Sequence, residues 1–335
     1  MTQIMAKQFP CNWLVENYFE MESVCMLFSE PGTYKSFLAM DLAYCVANGM
    51  PWNGNQVTKG SVIFVAGEGQ RGLQKRFKAL DDKYQGSQAN INALEKPLAL
   101  MSSESVDDFL EEIKQNNIQP VLIVFDTLHR NFGFGDENSS RDFGVVLSNV
   151  DRIIVETKAT VLLVHHCGHG DKTHSRGSSS IRASLDTEYQ LINKGRGAVL
   201  KCRKMKEFEH PAELCFQLKA VEVTVTTGKT DAAYLELVDS SSVAAKPSRD
   251  HSVLNSLKEA VRTCGVPIPK HIIAKRPELA QKLWVDILEW KNRSDSDLAQ
   301  DLPKQQSRQH TFNRSKTSLI NSRVVEVINN FAFIL

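Results

Sequence analysis

Four short, unbroken apolar runs constrain this chain more than any other feature: Val24-Cys-Met-Leu-Phe28, Val62-Ile-Phe-Val-Ala66, Val121-Leu-Ile-Val-Phe125 and Val161-Leu-Leu-Val164. A strand that faces water on one side alternates apolar and polar residues. A strand that does not alternate is buried on both faces, as in a parallel sheet covered by helices. The segments between the runs supply those helices. Ser36–Asn48 carries Phe37, Leu38, Leu42 and Val46 at helical spacing before Gly49, and helical patterns recur over Gly72–Tyr84, Val106–Asn116 and Arg141–Lys158. Strand and helix alternating in this way predict an α/β, doubly wound core. A second group, Glu188–Ile192, Ala198–Cys202, Cys215–Leu218, Val221–Thr226 and Tyr234–Val238, is joined by turns of a few residues. These read as mostly antiparallel strands added to the sheet edge.

The rest of the chain is of another kind. Asp239-Ser-Ser-Ser-Val-Ala-Ala-Lys-Pro-Ser-Arg249 is small and polar, so a linker is placed at 241–250, between a core at 1–240 and a module at 251–335. The formal net charge of +1 conceals a division at the same point. From Ala245 onward there are 15 Lys/Arg and 9 Asp/Glu, about +6, so the remainder sits near −5. The seven cysteines, at 11, 25, 45, 167, 202, 215 and 264, form no Cys-x-x-Cys pair. An odd, scattered set suits reduced thiols and a cytoplasmic setting better than a disulfide framework or a zinc site. No run approaches the roughly 18 apolar residues of a membrane span, and the first ten residues lack the pattern of a signal peptide.

The ends of the apolar runs carry the chemistry. Ser29, Glu30, Pro31, Gly32, Thr33, Tyr34, Lys35 and Ser36 follow one strand, and with Phe37 they open a helix. That placement aims backbone N–H groups and a helix N-terminus at an anion. In such a loop Lys35 reaches the β- and γ-phosphates and the Ser36 hydroxyl holds Mg²⁺. The strict pattern has glycine where this chain has Ser29 and Tyr34. Asp126 ends a second run, where P-loop ATPases place a magnesium carboxylate; a satisfied turn aspartate is the plainer reading. Glu68, between Gly67 and Gly69, ends a third run and could orient the attacking water. His165 and His166 close the fourth. Adjacent strand residues point to opposite faces, so one could sense the γ-phosphate while the other packs.

With these residues in place, the first 240 or so residues resemble the RepA-like AAA_25 group of the RecA/DnaB superfamily of hexameric ATPases. The resemblance runs through Trp13-Leu-Val15, Glu30-Pro-Gly-Thr-Tyr-Lys-Ser36, Gly67-Glu-Gly69 and Phe125-Asp-Thr-Leu-His-Arg130. It continues through Val164-His-His166, Arg176-Gly-Ser-Ser-Ser180 with Asp186, and Lys204-Met-Lys-Glu207. It implies a RecA-like core using ATP and Mg²⁺, with Lys35, Ser36 and Asp126 at the nucleotide, Glu68 as base and His165 or His166 as sensor. Cys167–Ser175, with Lys172 and the following Arg176, would be a loop facing single-stranded DNA. Lys204 and Lys206 would act on a neighbouring subunit's nucleotide, where related rings often carry Arg.

Lys304–Arg323 holds five Lys/Arg and no acid. A helix over Gln309–Asn321 that buries Phe312, Leu319 and Ile320 would turn Arg308, Arg314 and Lys316 outward toward nucleic acid. Helices at Ser252–Cys264 and Glu278–Trp290, then this basic helix and a hairpin around Asn329-Asn330, form a winged-helix-like order. The expected protein is a homo-oligomeric, hexameric DNA-dependent ATPase of a phage or plasmid, a helicase or translocase working with other replication proteins. An ATP-switched DNA-binding or helicase-loading protein is the alternative. A small-molecule kinase would need a lid of clustered arginines and an acceptor pocket, and the sequence shows no such lid cluster.

Overall fold

In the computed structural model the described residues are 12–67, 70–86, 90–94, 96–168, 173–176, 179–195, 197–225, 228–243, 249–299, 302 and 304–335. The chain divides into two compact units, Met1–Ala244 and Ala245–Leu335.

The first unit begins with a small hairpin, β1 (Trp13–Val15) and β2 (Phe19–Glu20). The core follows: β3 (Val24–Ser29), α1 (Lys35–Asn48), β4 (Ser61–Ala66), α2 (Gln70–Tyr84), β5 (Ile91–Leu94) and α3 (Ser103–Gln115). After these come β6 (Pro120–Asp126), α4 (Leu128–Asn131), α5 (Ser140–Thr157), β7 (Thr160–His166), α6 (Ser179–Ser184), β8 (Thr187–Asn193), β9 (Ala198–Met205), β10 (Leu214–Val225), β11 (Gly228–Val238) and α7 (Ser240–Val243). The nine-stranded sheet has the order β11-β10-β9-β8-β3-β7-β6-β4-β5. The six strands from β8 to β5 are parallel, and β9, β10 and β11 extend the edge antiparallel. This is the doubly wound arrangement expected of the apolar runs, and it matches the RecA-like core that the resemblance implies. The sheet wants cover on both faces because β3 and β4 are buried at every position.

The pleat sorts the strand residues between two cores. Leu27, Phe64, Val124 and Val164 pack with α1 and α2, whereas Met26, Val65, Phe125 and Leu163 pack with α3 and α5. One expectation fails here, and some short elements went unforeseen. Cys215–Leu218 and Val221–Thr226 are one strand, because Lys219-Ala220 offers no turn chemistry and pairs instead with Ala233 and Tyr234 in a long ribbon. The β5 strand and the hairpin β1–β2 are too short for a sequence period to show.

The second unit contains α8 (Arg249–Cys264), β12 (Val266–Pro267), α9 (Lys270–Ile273), a 3₁₀ turn at Pro277–Leu279, β13 (Leu283–Asp286), α10 (Ile287–Leu298), α11 (Gln305–Asn321), β14 (Val325–Ile328) and β15 (Phe331–Ile334). Its sheet runs β12-β13-β15-β14, antiparallel throughout. Asn329 and Asn330 both take left-handed angles at φ 47° and 64°, as a two-residue hairpin turn requires. The helix expected over Glu278–Trp290 is instead strand then helix. Trp284 and Val285 are buried in β13, and Asp286 ends the strand by accepting the Leu288 N–H at 2.7 Å, which caps α10.

Candidate active site at the strand ends

The loop between β3 and α1 has the conformation its sequence left in question. Tyr34 occupies the left-handed region at φ 63° and is the N-cap of α1 without a side-chain cap. A tyrosine there costs about 1–2 kcal/mol relative to glycine. Its ring packs against the α1–α2 core and meets Phe37 edge-on at 6.4 Å, which offsets that strain. Gly32, at φ 75°, has open space where a Cβ would project. The first turn of α1 carries no acid. An uncapped helix N-terminus beside an open glycine turn fits an incoming phosphate, whose charge the helix dipole favours.

Lys35 is only 6% exposed. Its ammonium donates to the Ser29 carbonyl at 3.3 Å, the Ser29 hydroxyl at 3.0 Å and the Glu30 carbonyl at 3.1 Å. The lysine thus lies across the root of its own loop, as a counter-charge to phosphate must. Ser36 follows it, half-buried.

Three strand ends converge on the same face. By the alternation of β3, β6 and β7, Ser29, Asp126 and His166 continue the α1 side of the sheet. Ser29 pairs with His166 across β3–β7, and Asp126 pairs with Ala66 across β6–β4. Asp126 is 4% exposed, and one strand separates it from the loop, about 10 Å at ordinary strand spacing. A cation between Ser36 and Asp126, with phosphate oxygens and water completing its shell, fits that gap. Among the described residues no group of three His, Cys, Asp or Glu side chains could hold a metal. Magnesium bound in this way needs no such group.

His165 faces the other side of the sheet and is fully buried. Burial above all, then the charges of His166 and Arg176, push its pKa down to about 3, so it is a neutral ring. Of the two histidines, His166 shares the phosphate-loop face. Glu68 and Lys172 lie outside the described residues. The glycine before Glu68 is required by packing: a Cβ on Gly67 would sit 2.4 Å from the Arg130 Cβ.

The remaining candidates are placed elsewhere. Lys204 donates to the carbonyls of Arg182 and Ala183, each at 2.8 Å, and to that of Leu185. It caps the C-terminus of α6 in its own chain. Lys206 is exposed, 3.6 Å from the Asp186 carboxylate. Register puts Lys204 opposite Glu188, which pairs with Met26, so both lysines lie at the opposite end of the sheet from the phosphate loop. Their own nucleotide is well beyond a lysine's reach.

Arg176 rests 3.7 Å from the buried carboxylate of Glu137, not on an exposed loop tip. In the second unit Arg308 is folded inward, donating to Asp295 at 2.9 Å and to the Leu302 carbonyl at 3.0 Å. The outward direction expected of it is therefore corrected, as is the burial expected of Ile320, which is exposed. The cause is the start of α11 at Gln305, which turns Arg308 toward α10. Arg314 is exposed and lines a surface pocket of about 400 Å³ with Arg249, Asp250 and His310. Lys316 lies half-buried over the Phe312 ring at 5.9 Å. Glu137 was missed by sequence reasoning, since nothing about Asp136-Glu-Asn138 signals burial.

Fold and strand-end constellation together define a P-loop ATPase of the RecA-like class. The family model of the AAA domain (AAA_25) matches residues 1–172, and the chain belongs to that family. No curated protein matches it. Among solved structures it is similar to a KaiC-like protein of the hyperthermophilic archaeon Pyrococcus horikoshii OT3, at 18% identity and a TM-score of 0.38, over 68% of this chain and 99% of that one. Among the described residues no helix is long and apolar enough to cross a membrane.

Proposed function

We propose that this protein is a DNA-dependent ring ATPase, a translocase or helicase for single-stranded DNA of phage or plasmid type, working as a homohexamer beside other replication proteins. The reading rests on one arrangement: phosphate ligands at one end of the sheet and an exposed lysine at the other. Lys35, Ser36, the loop N–H groups and Asp126 would hold ATP and Mg²⁺. The metal, when bound, neutralises the β- and γ-oxygens. His166, on the phosphate-loop face, is the proposed γ-phosphate donor, and Glu68 is the proposed base. Lys206 cannot touch its own nucleotide, so any part it has in hydrolysis is played on a neighbouring copy. The second unit, with exposed Arg314 on α11 and a hairpin behind it, supports a winged-helix-like nucleic-acid contact.

The engagement of Lys204 within its own chain and the strained Tyr34 favour a second reading, an ATP-switched DNA-binding or loader protein with slow turnover. Steady-state ATP hydrolysis with and without single-stranded DNA, with Lys35→Ala as the blank, separates the two. The motor reading expects turnover to rise about tenfold or more with DNA, a gain of about 1.4 kcal/mol in barrier. ATP binding without DNA-stimulated turnover would favour the switch.

A further inference from the structure

The acid that sequence reasoning missed lies behind the phosphate site. Glu137 sits in the turn between α4 and α5, with its side chain 8% exposed. A polar side chain that far from water needs partners to offset the loss of its hydration. They come from three separate segments. The His129 ring of α4 contacts Oε1, the His165 ring of β7 lies 4.0 Å from Oε2, and the Arg176 guanidinium lies 3.7 Å from Oε2. Among the described residues Oε2 accepts no hydrogen bond, and the Arg176 guanidinium is the cation beside it; the His165 ring there is neutral.

Arg176 connects this acid to the nucleotide face. Its backbone N–H donates to the His166 carbonyl at 2.9 Å. One residue along, the Cys167 N–H donates to the Ser29 carbonyl at 3.0 Å, the same carbonyl that Lys35 contacts. Cys167 and Ser175 form a bridge closing the segment between them, and the Ser175 hydroxyl is fixed to buried Glu188 at 2.9 Å. Thus the strand end bearing His166 is held on one side by the root of the phosphate loop. On the other it is held by Arg176, whose side chain is held in turn by Glu137.

We propose that Glu137 is a positioning residue for ATP hydrolysis: by fixing Arg176 it fixes the His166 strand end against the phosphate loop from the far side of the sheet. The proposal rests on the reading of His166 as a nucleotide contact. It also explains why a buried acid sits between two histidines and an arginine, beside the His165 face of the sheet and away from the phosphate loop. Displacing a group at the reacting centre by a fraction of an ångström slows chemistry without loosening the ligand, because Lys35 and the loop hold the phosphates independently.

The test combines exchange and kinetics on the full chain. Hydrogen–deuterium exchange at the Arg176 amide should quicken about tenfold in Glu137→Gln while amides of β3 and β6 stay protected. In steady-state hydrolysis, kcat should fall about tenfold with KM for ATP within about twofold, and Glu137→Asp should recover part of the loss. Glu137→Gln and Arg176→Gln should be non-additive, the double variant resembling either single one. An unchanged Arg176 amide in Glu137→Gln would overturn the clamp whatever the enzyme does. Additive effects, or a quickened amide with unaltered kcat, would overturn the positioning role. A wild type no faster than Lys35→Ala would sink the ATPase reading and the catalytic part of this proposal with it, while the exchange arm still decides the clamp.

Discussion

Two lysines in the core are each held by three oxygens, at opposite ends of one sheet, and chemistry alone would not tell them apart. Lys35 crosses the root of a loop that ends in an uncapped helix N-terminus, where its charge adds to the helix dipole and both attract an anion. Lys204 meets the last carbonyls of α6, where its charge and the dipole satisfy one another. The first is poised to exchange its oxygens for phosphate; the second is already satisfied. Position on a helix, more than residue type, separates a ligand-binding lysine from a structural one. Lys206, two residues from Lys204, is an exposed cation at that end.

The comparison breaks or sharpens under substitution. Lys35→Ala should lower kcat by about 10²–10³, the loss typical of removing one donor aimed at developing charge, with little change in melting temperature. Asp126→Asn should come close to that loss and should weaken the dependence on Mg²⁺, read from a titration of the metal at fixed ATP. Lys204→Met belongs to the other class. It should destabilise the fold by about 1–2 kcal/mol in chemical denaturation, as three charge-assisted bonds at a helix C-terminus go. Should Lys204→Met instead abolish turnover in a protein of normal stability, the distinction between the two lysines fails.

Smaller effects test the surroundings. His165 is neutral in the fold with a pKa lowered to about 3, against 6.5 when exposed, so the unfolded chain takes up its proton first. Its contribution to stability is whole above about pH 6.5 and is lost as pH falls toward 3. The denaturation midpoint should therefore drop less between pH 7 and pH 5 in His165→Asn than in the wild type. Tyr34→Gly should show the smallest change. It relieves the left-handed strain and loses the contact with Phe37, so stability should stay within about 1 kcal/mol of wild type and the KM for ATP nearly unchanged.

What could be read in advance followed from burial. The strands that carry Asp126 and the histidine pair are unbroken apolar runs between their ends, so their order of appearance and their polar ends stand out in the sequence. The winding follows from the same pattern. Glu137 was hidden because its burial is made by α4, β7 and the segment at Arg176, which are distant or unmarked in the sequence. The choice between His165 and His166 needed the pleat of neighbouring strands to assign a face to each. In α11 a sparse apolar face left the helix rotation open, which is why Arg308 and Ile320 were turned the wrong way. The strand at Leu283–Asp286 was likewise hidden in a segment whose spacing also suits a helix.

On the proposed reading the sheet has two working ends, one completing the other's site in a neighbouring copy. Mixing Lys35→Ala subunits with Lys206→Ala subunits tests it most directly, with co-assembly verified by capture through a tag on one of them. Each variant alone should be nearly inactive. The mixture should recover ATP hydrolysis, because an intact phosphate loop from one then faces an intact Lys206 from the other. A co-assembled mixture as inactive as its parents, or a Lys206→Ala protein as active as wild type, would contradict it.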